Sequence, residues 1–386
     1  MHITAACLTI PLCLRFSNAK STSNGTFTLP QGTGPFRTTL QHTELIDVSR
    51  LDPFNSSHHR RLMISRFDPV PQWKCKPIQL PYVPLIVAQV EDEILAEYDY
   101  PKDVWERVRL DVCDLQTGDS CSTHGKFPIA MFSAGLNTTR HFSLSLAQEI
   151  SSHGFTVILV DHPYDTDVVA FPGGDVIYGG RILKPVNGNT TSVDHALEVR
   201  ADDISFVLDT IGITQEDKVV MFGHSFGGAA TATTMLQDRR VKGGVNIDGT
   251  MFGPVLNSSL GNPGHPQKFL LWGSEGHNTT TDASWGQFWN SLELSKNVDW
   301  NKEFSIINST HGSCWDLNVL VDVTGLRNGL TETARSLVGP IPGARIWEIM
   351  GRYLPAFFGY ALNEKPEDQL LREPSANYLE VVILRE

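Results

Sequence analysis

The feature that most constrains the fold of this chain is a series of short, largely apolar runs that begins just after Pro128. These runs cover residues 129–132, 156–160, 219–222, 244–247, 269–272 and 304–307. Short runs without regular polar alternation are typical of parallel strands that are buried on both faces. Helical stretches lie at 139–152 and 193–211, and an apolar helical region interrupted by Pro355 follows at 346–362. The alternation predicts an α/β protein with a mostly parallel, doubly wound sheet.

The part of the chain before these runs has a different pattern. Residues 61–67 and 106–112 alternate between apolar and polar side chains, which predicts half-buried antiparallel strands. Residues 20–58 are rich in Ser, Thr, Gly and Asn and have little periodicity, so we expect a loop or lead-in there.

The N-terminus has the pattern of a signal peptide. Residues 3–14 are an apolar segment, followed by Arg15 and by the small residues Ser17 and Ala19. We therefore expect cleavage after residue 19 and a secreted product. The sequence has no transmembrane segment, because no apolar run approaches the roughly 20 residues that a spanning helix needs.

Composition narrows the class of partner. The net charge of -12 and the lack of a basic stripe argue against a nucleic-acid partner and against electrostatic adhesion to anionic membranes. The aromatic segments 285–289 and 353–360 could still make a peripheral lipid-surface contact. Amphipathic helices that cover a sheet have the same pattern, so both interpretations stay open.

Glycosylation and disulfide patterns also favour secretion. Seven N-x-[ST] sequons occur, where about two or three are expected by chance; they lie at Asn24, Asn55, Asn137, Asn189, Asn257, Asn278 and Asn308. Loss of the leader removes Cys7 and Cys13 and leaves an even number of cysteines. The turn-like residues 116–119 favour a bond between Cys113 and Cys121, which would leave Cys75 to pair with Cys314; buried free thiols are the alternative.

Residues 223–228, Gly-His-Ser-Phe-Gly-Gly, have the pattern of a nucleophile elbow. They follow the apolar run 219–222 and precede a helical stretch of small residues at 229–236. Glycines two positions before and after Ser225 are needed because side chains there would collide with the neighbouring strand and helix. Ser225 is therefore the candidate nucleophile, and a glycine-rich packing loop is the structural alternative.

A serine nucleophile needs a base, and in this architecture the chain order is nucleophile, acid, histidine. Of the 13 histidines, His265, His277 and His311 follow strands that come after the elbow. His311 follows the last predicted strand, from which a base can reach back across the sheet, and it is the candidate base. His265 lies between prolines in a turn, and His277 lies closer to the usual position of the acid.

Position alone leaves the acid open. Asp248 follows the strand after the elbow, Glu275 follows the next strand, and Asp282 is a more remote alternative. For the oxyanion hole, the loop 133–137 predicts backbone donors at Leu136 and, after the nucleophile, at Phe226. Gly135 suits such a loop because a side chain would crowd the substrate, although a glycine could also simply open a turn.

Four blocks of sequence resemble the type II platelet-activating-factor acetylhydrolases, which are serine esterases with an α/β-hydrolase fold. The blocks are 132–136 with 152–155, then 223–228, 247–252 and 269–311, and the resemblance spans residues 127–315. The family's acid precedes a Met-Phe pair, here Met251-Phe252, so the resemblance selects Asp248. It also implies His311 as the base and Leu136 and Phe226 as oxyanion donors.

We expect a secreted serine ester hydrolase that works through an acyl-enzyme and needs no metal or cofactor. Residues 20–386 contain no internal repeat or low-complexity linker, so we expect one catalytic domain there. The expected substrate is a small-molecule or lipid ester, by resemblance the short or modified sn-2 acyl group of a phospholipid. The chain departs from the family at Ala134, usually histidine, and at 137–139, so the substrate stays open. The alternatives are a general carboxylesterase, lipase or polyester hydrolase, an acyltransferase to an alcohol, and a non-catalytic binding protein.

Overall fold

The structure is a computed structural model, and it describes residues 25–115, 127–261 and 266–386. The strands that it contains in these ranges are β1 Phe27–Thr28, β2 Phe36–Asp52, β3 Asn55–Pro71, β4 Pro77–Pro81, β5 Val108–Cys113, β6 Ile129–Ser133, β7 Thr156–Asp161, β8 Val168–Ala170, β9 Val176–Tyr178, β10 Val219–His224, β11 Val241–Ile247, β12 Gln267–Ser274, β13 Val298–Ile306 and β14 Val381–Arg385. The α-helices are α1 Leu85–Leu95, α2 Leu144–Ser152, α3 Thr191–Thr210, α4 Phe226–Gln237, α5 Ala283–Leu294, α6 Asp316–Val323, α7 Glu332–Val338, α8 Gly343–Ala361 and α9 Gln369–Arg372.

A nine-stranded sheet organises the molecule, with the order β14-β13-β12-β11-β10-β6-β7-β3-β2. Its central strands β6, β7 and β10 to β13 are parallel, whereas β2, β3 and β14 are antiparallel to their neighbours. Five of the six apolar runs lie within these parallel strands, and the sixth, 304–307, lies in β13 up to Ile306. This confirms the predicted α/β fold with antiparallel N-terminal strands.

Both faces of the sheet are covered by helices, as a doubly wound fold requires. Successive residues of β10 point to opposite sides, so Phe222 packs in the core beneath α2, α6 and α8, and Met221 packs in the core beneath α3, α4 and α5. This two-sided burial explains why the parallel strands carry continuous apolar runs. Helix α8 runs through Pro355 without a break, so the predicted interruption is wrong.

The prediction of a loop over residues 20–58 is wrong for residues 36–52, which form the long strand β2, and for residues 55–58, which begin β3. Strand β2 pairs with β3 from Phe36 opposite Pro71 to Asp52 opposite Asn55. The polar sequence of β2 gives no recognisable strand pattern. An edge strand is held mainly by backbone hydrogen bonds to its neighbour and need not have an apolar pattern. Residues 61–67 lie within β3 as predicted, and residues 108–112 lie in β5.

The predicted disulfides are wrong as well, because Cys75 is bonded to Cys113 and Cys314 is free. Antiparallel pairing places Pro77 of β4 opposite Cys113 of β5, and the Asp114 N–H donates to the Lys76 carbonyl. This register brings the Cα atoms of the two cysteines within 5.0 Å of each other, a distance that a disulfide can span. Cys121 lies outside the described residues.

The aromatic segments 285–289 and 353–360, for which a lipid contact was one of two interpretations, are part of the core. Trp285, Phe288 and Trp289 on α5 are fully buried against the sheet, and Tyr353 on α8 is buried on the opposite side. They cover the sheet, so the structural interpretation of these segments is correct. Within the ranges that the structure describes, no helix is long and apolar enough to cross a membrane.

Candidate active site

Ser225 lies at the sharp turn between β10 and α4, where the chain is held in a strained conformation. Its backbone has φ 55° and ψ -126°, a conformation that residues other than glycine rarely adopt. The turn is tight enough that a Cβ on Gly223 would lie 2.1 Å from the carbonyl oxygen of Gly227. The Ser225 N–H donates to the Ile247 carbonyl at 2.8 Å, which ties the turn to the neighbouring strand. The elbow predicted from the glycine pattern is therefore the local geometry of this segment.

Asp248 and His311 meet at the same edge of the sheet. Asp248 follows β11, and His311 begins a short turn after β13, so its side chain extends back towards the central strands. The His311 Nδ1–H donates to Asp248 Oδ2 at 2.6 Å. Because a carboxylate only accepts, this bond places the proton on Nδ1 and leaves Nε2 as a free acceptor. The imidazole is about half exposed, so a substrate can reach it.

The second oxygen of Asp248 has partners of its own. Asp248 Oδ1 accepts the backbone N–H of Ser274 at 2.6 Å and the Nδ1–H of His277 at 2.9 Å. His277 Nε2–H donates in turn to Asp282 Oδ2 at 3.0 Å. Asp282 also caps the start of α5, which fixes its own position. The carboxylate of Asp248 is thus held between two imidazoles rather than one.

These contacts determine the charges of Asp248 and His277. Burial alone would raise the pKa of the Asp248 carboxyl, but the hydrogen bonds from His277 and His311 outweigh burial and hold that pKa well below its usual value. Burial opposes the charged form of His277, yet the carboxylates of Asp248 and Asp282 raise the pKa of this histidine to about 9. At neutral pH, His277 is therefore an imidazolium held between two carboxylates.

The backbone of His311 is anchored by a residue of the elbow. His224 accepts the Trp315 Nε1–H at Nδ1, 3.0 Å away, so its proton lies on Nε2, which donates to the His311 carbonyl at 2.8 Å. Burial and the nearby His311 lower the pKa of His224 to about 3, so it stays neutral. This chain of hydrogen bonds fixes the loop that carries His311 relative to the strand that carries Ser225.

The loop predicted to supply an oxyanion donor lies against Ser225. A Cβ placed on Gly135 would lie 3.3 Å from the Cβ of Ser225, so the two backbones approach closely and only glycine leaves the space open. Among the described residues, the N–H of Leu136 finds no hydrogen-bond acceptor. The N–H of Phe226 is the first of α4 and precedes the intrahelical hydrogen bonds. Within the described part of the chain, two backbone N–H groups therefore lack an acceptor: one directly follows Ser225, and one lies in the loop that packs against it.

The other candidates lie around this cluster. Glu275 accepts the backbone N–H of Asn308 at 2.7 Å and so stabilises the loop before His311. Among the described residues it makes no hydrogen bond or ion pair with an imidazole. His265 lies outside the described residues. The strand-end residues Asp161 and His162 are buried and bond to Arg140 and Asp203, as a structural pair would. The sequence pattern did not predict that His277 is a partner of Asp248. The only signal was its position in the loop where the acid of this fold usually lies.

The sheet order and the elbow at its carboxyl edge define an α/β-hydrolase. A solved structure of a ferulic acid esterase from Streptomyces cinnamoneus has the same fold, with a TM-score of 0.71 and 24% identity, covering 93% of this chain and 99% of that one.

The sequence matches the family described as "Platelet-activating factor acetylhydrolase, isoform II" over residues 105–171 and 187–323. The chain belongs to this family, and it is an enzyme of the ester hydrolase class. It is 38% identical to the "Probable 1-alkyl-2-acetylglycerophosphocholine esterase" of Arthroderma benhamiae, over 97% of this chain and 98% of that protein. It is 27% identical to the "Platelet-activating factor acetylhydrolase" of Cavia porcellus, over 44% of this chain and 43% of that protein.

Proposed function

We propose that this enzyme is a secreted serine esterase that hydrolyses short or modified sn-2 acyl esters of phospholipids through an acyl-enzyme. The observation that carries the proposal is the 2.6 Å hydrogen bond between His311 and Asp248 at the edge of the sheet where Ser225 occupies a strained elbow. Serine, histidine and aspartate in this chain order have the roles of nucleophile, base and orienting acid in α/β-hydrolases.

The mechanism follows from the protonation states in the site. Ser225 Oγ attacks the ester carbonyl carbon while His311 Nε2 takes the hydroxyl proton, and the carbonyl oxygen becomes an oxyanion between the N–H groups of Leu136 and Phe226. Collapse of this intermediate breaks the bond to the leaving alcohol, which receives the proton from His311. A water molecule then attacks the acyl-enzyme with His311 as its base, and the carboxylic acid leaves as Ser225 regains its proton.

Asp248 is suited to stabilise the imidazolium that forms on His311. Its pKa lies well below the usual value, so it is a carboxylate at neutral pH. Removing this charge while keeping the shape of the side chain costs about 10⁴ in kcat in the serine proteases, because the histidine then adopts the wrong tautomer.

The choice of substrate is supported by the relatives. The Arthroderma benhamiae protein is named a probable 1-alkyl-2-acetylglycerophosphocholine esterase and the Cavia porcellus protein a platelet-activating factor acetylhydrolase. The first shares nearly the whole length of this chain. A general carboxylesterase or polyester hydrolase would use the same residues. Turnover of a short-acyl phospholipid should exceed that of p-nitrophenyl esters and of a polyester film, and the opposite order would reject the phospholipid assignment.

The nucleophile is tested by labelling and the acid by a matched pair of variants. A serine-directed organophosphonate should add one adduct mass to the wild type and none to Ser225→Ala, and an adduct on the variant would disprove the assignment. Asp248→Asn should lower kcat by roughly 10³ to 10⁴. Glu275→Gln is the control, because Glu275 bonds only a loop backbone, and a larger loss in this variant would reverse the choice of acid.

Secretion is part of the same proposal. It is supported by the leader-like residues 1–19 and by sequons such as Asn189 and Asn257, whose side chains are exposed. Expression in a eukaryotic secretory host should give a glycosidase-sensitive product that begins at residue 20. An unprocessed, unglycosylated product would contradict secretion without affecting the catalytic assignment.

A further inference from the structure

Arg200 is a fully buried guanidinium directly beneath the oxyanion loop. It projects from α3, and its side chain is only 1% exposed. Its Nε–H and one Nη2–H donate to the two carboxylate oxygens of Asp165, each at 2.6 Å. Its remaining N–H groups donate to the Ser133 hydroxyl at 3.0 Å, to the carbonyl of Ala134, and to the carbonyl of Gly135 at 3.1 Å. All five donors are therefore used, and three of them hold the loop.

The bond to the Gly135 carbonyl determines where the N–H of Leu136 points. These two groups belong to the same peptide unit, which is planar and trans, so its C=O and N–H point in opposite directions. With the oxygen held by Arg200 below the loop, the N–H is directed away from Arg200 and finds no acceptor within the described structure. A cationic donor on the oxygen also polarises the peptide group and strengthens its N–H as a donor.

The other side of Leu136 is anchored through the partner of Arg200. The N–H of Asn137 donates to the backbone carbonyl of Asp165 at 3.2 Å. Arg200 and Asp165 thus hold the peptide units that precede and follow Leu136. This restraint matters because Gly135 has no side chain, and without it the peptide could rotate at low cost.

The second oxyanion donor lies beside the same guanidinium. The Arg200 Cζ atom lies 4.7 Å from the centre of the Phe226 ring, a cation–π distance. The backbone N–H of Phe226 is the donor that follows the nucleophile. Arg200 therefore contacts both the loop that carries one donor and the residue that carries the other.

A second set of hydrogen bonds, through Ser133, also restrains Arg200. The Ser133 hydroxyl that accepts from Arg200 lies 3.1 Å from His162 Nε2, and His162 Nδ1 lies 2.9 Å from Asp203. Arg60 donates to both oxygens of Asp203. The guanidinium is thus set in a buried, hydrogen-bonded network, which restricts its own movement.

We propose that Arg200, paired with Asp165, is a positioning residue that locks the Gly135–Leu136 peptide so that its N–H serves as an oxyanion donor. This inference rests on the proposed function, because it assumes that Ser225 forms a tetrahedral intermediate. Arg200 does not contact the reacting atoms; it acts through the peptide group that does.

The test compares Arg200→Lys with Arg240→Lys. Lysine keeps the positive charge but has one flexible ammonium group, which cannot hold Asp165 and three loop acceptors together. Arg240 is the matched control, since it is a largely buried arginine that bonds to Asp209 and Asp238 instead of the loop. Thermal unfolding of both variants separates the effect on folding from the effect on catalysis.

The informative measurement is affinity for a trifluoromethyl ketone analogue of the substrate. Ser225 Oγ adds to its carbonyl carbon, the hydroxyl proton passes to His311, and the ketone oxygen becomes an oxyanion, so binding depends on the oxyanion hole. An ether analogue, in which the ester carbonyl is replaced by a methylene, forms no oxyanion and measures ordinary binding.

We expect Arg200→Lys to lose about 10²-fold in kcat, with KM changed by a few-fold at most. Its affinity for the ketone should fall by a similar factor, and its affinity for the ether should stay unchanged. Arg240→Lys should keep both affinities and the kcat of its folded fraction. Equal weakening of ketone and ether binding in Arg200→Lys, or an unchanged kcat, would overturn the inference.

If Arg200→Lys does not fold, Asp165→Asn decides the question, because it keeps the shape of the pair and removes one charge. It should weaken ketone binding but not ether binding, and unchanged ketone binding would overturn the inference. Ser225→Ala distinguishes failure of the proposed function: a variant that still binds the ketone as tightly as the wild type would reject the nucleophile itself. Loss of binding in Ser225→Ala with full binding in the Arg200 and Asp165 variants would reject only the positioning role.

Discussion

His277 gives the sharpest quantitative prediction, because the structure assigns it a charge that an exposed histidine would not have at neutral pH. Burial opposes that charge, but hydrogen bonds and ion pairs with Asp248 and Asp282 raise the pKa of His277 from 6.5 to about 9. At 1.36 kcal/mol for each tenfold change in proton affinity, the charged cluster stabilises the folded protein by about 3 kcal/mol.

The sign of the pH dependence follows from the direction of this shift. A base whose pKa is higher in the folded state contributes its full stabilisation below pH 6.5, where both states are protonated. The contribution is lost as pH rises through about 9, where the folded protein also gives up the proton. His277→Gln removes this titration while leaving a side-chain amide to donate to Asp248.

The assay is denaturant unfolding of wild type and His277→Gln at intervals from pH 6 to pH 10. The difference in free energy of unfolding should be largest near pH 6 and should shrink by about 3 kcal/mol towards pH 10. His195→Gln is the control, because that imidazole is about half exposed and pairs only loosely with Glu198 at 3.9 Å. A wild-type curve that runs parallel to that of His277→Gln across this range would refute the assigned charge.

Two further predictions concern stability. Burial raises the pKa of Asp167 to about 7 and that of Glu91 well above its usual range. The wild type should therefore lose stability as pH rises from about 4 to about 7, and Glu91→Gln should flatten this fall in Tm. Parallel curves would contradict the raised pKa of Glu91. Replacing Cys75 and Cys113 with serine opens a cross-link across 38 residues and should lower the free energy of unfolding by about 4 kcal/mol. Reductant should lower the Tm of the wild type but not that of the double variant. A wild-type Tm that does not change with reductant would argue against the disulfide.

The parallel core of the fold could be predicted because each of its strands has a local pattern. A strand buried on both faces needs several apolar residues in succession, and this requirement is visible at 219–222 or 269–272 without knowledge of the neighbours. Strand β2 could not be predicted in this way, since its polar residues 36–52 are held by pairing with β3. The same limit applies to the cysteines: the register between β4 and β5 selects Cys75 as the partner of Cys113.

The candidate site likewise combines features that the local sequence encodes with features that depend on residues distant in the chain. The elbow around Ser225 is encoded locally, because the glycines at 223 and 227 are required by contacts within a few residues of the turn. The choice between Asp248 and Glu275 could not be made from position, and it needed the resemblance to a family. The structure adds the 2.6 Å contact from His311 to Asp248, which joins residues 63 positions apart.

The sequence by itself determined the class of fold, the position of the turn at Ser225 and the order of the candidate residues along the chain, since these depend on local patterns of apolar side chains and glycines. Only the tertiary structure decided that His277 shares the carboxylate of Asp248 and that Arg200 holds the Gly135–Leu136 peptide. The physical reason is that a charge or a peptide orientation is set by whichever groups lie within hydrogen-bond distance. These groups come from strands and helices that the sequence separates and the sheet brings together.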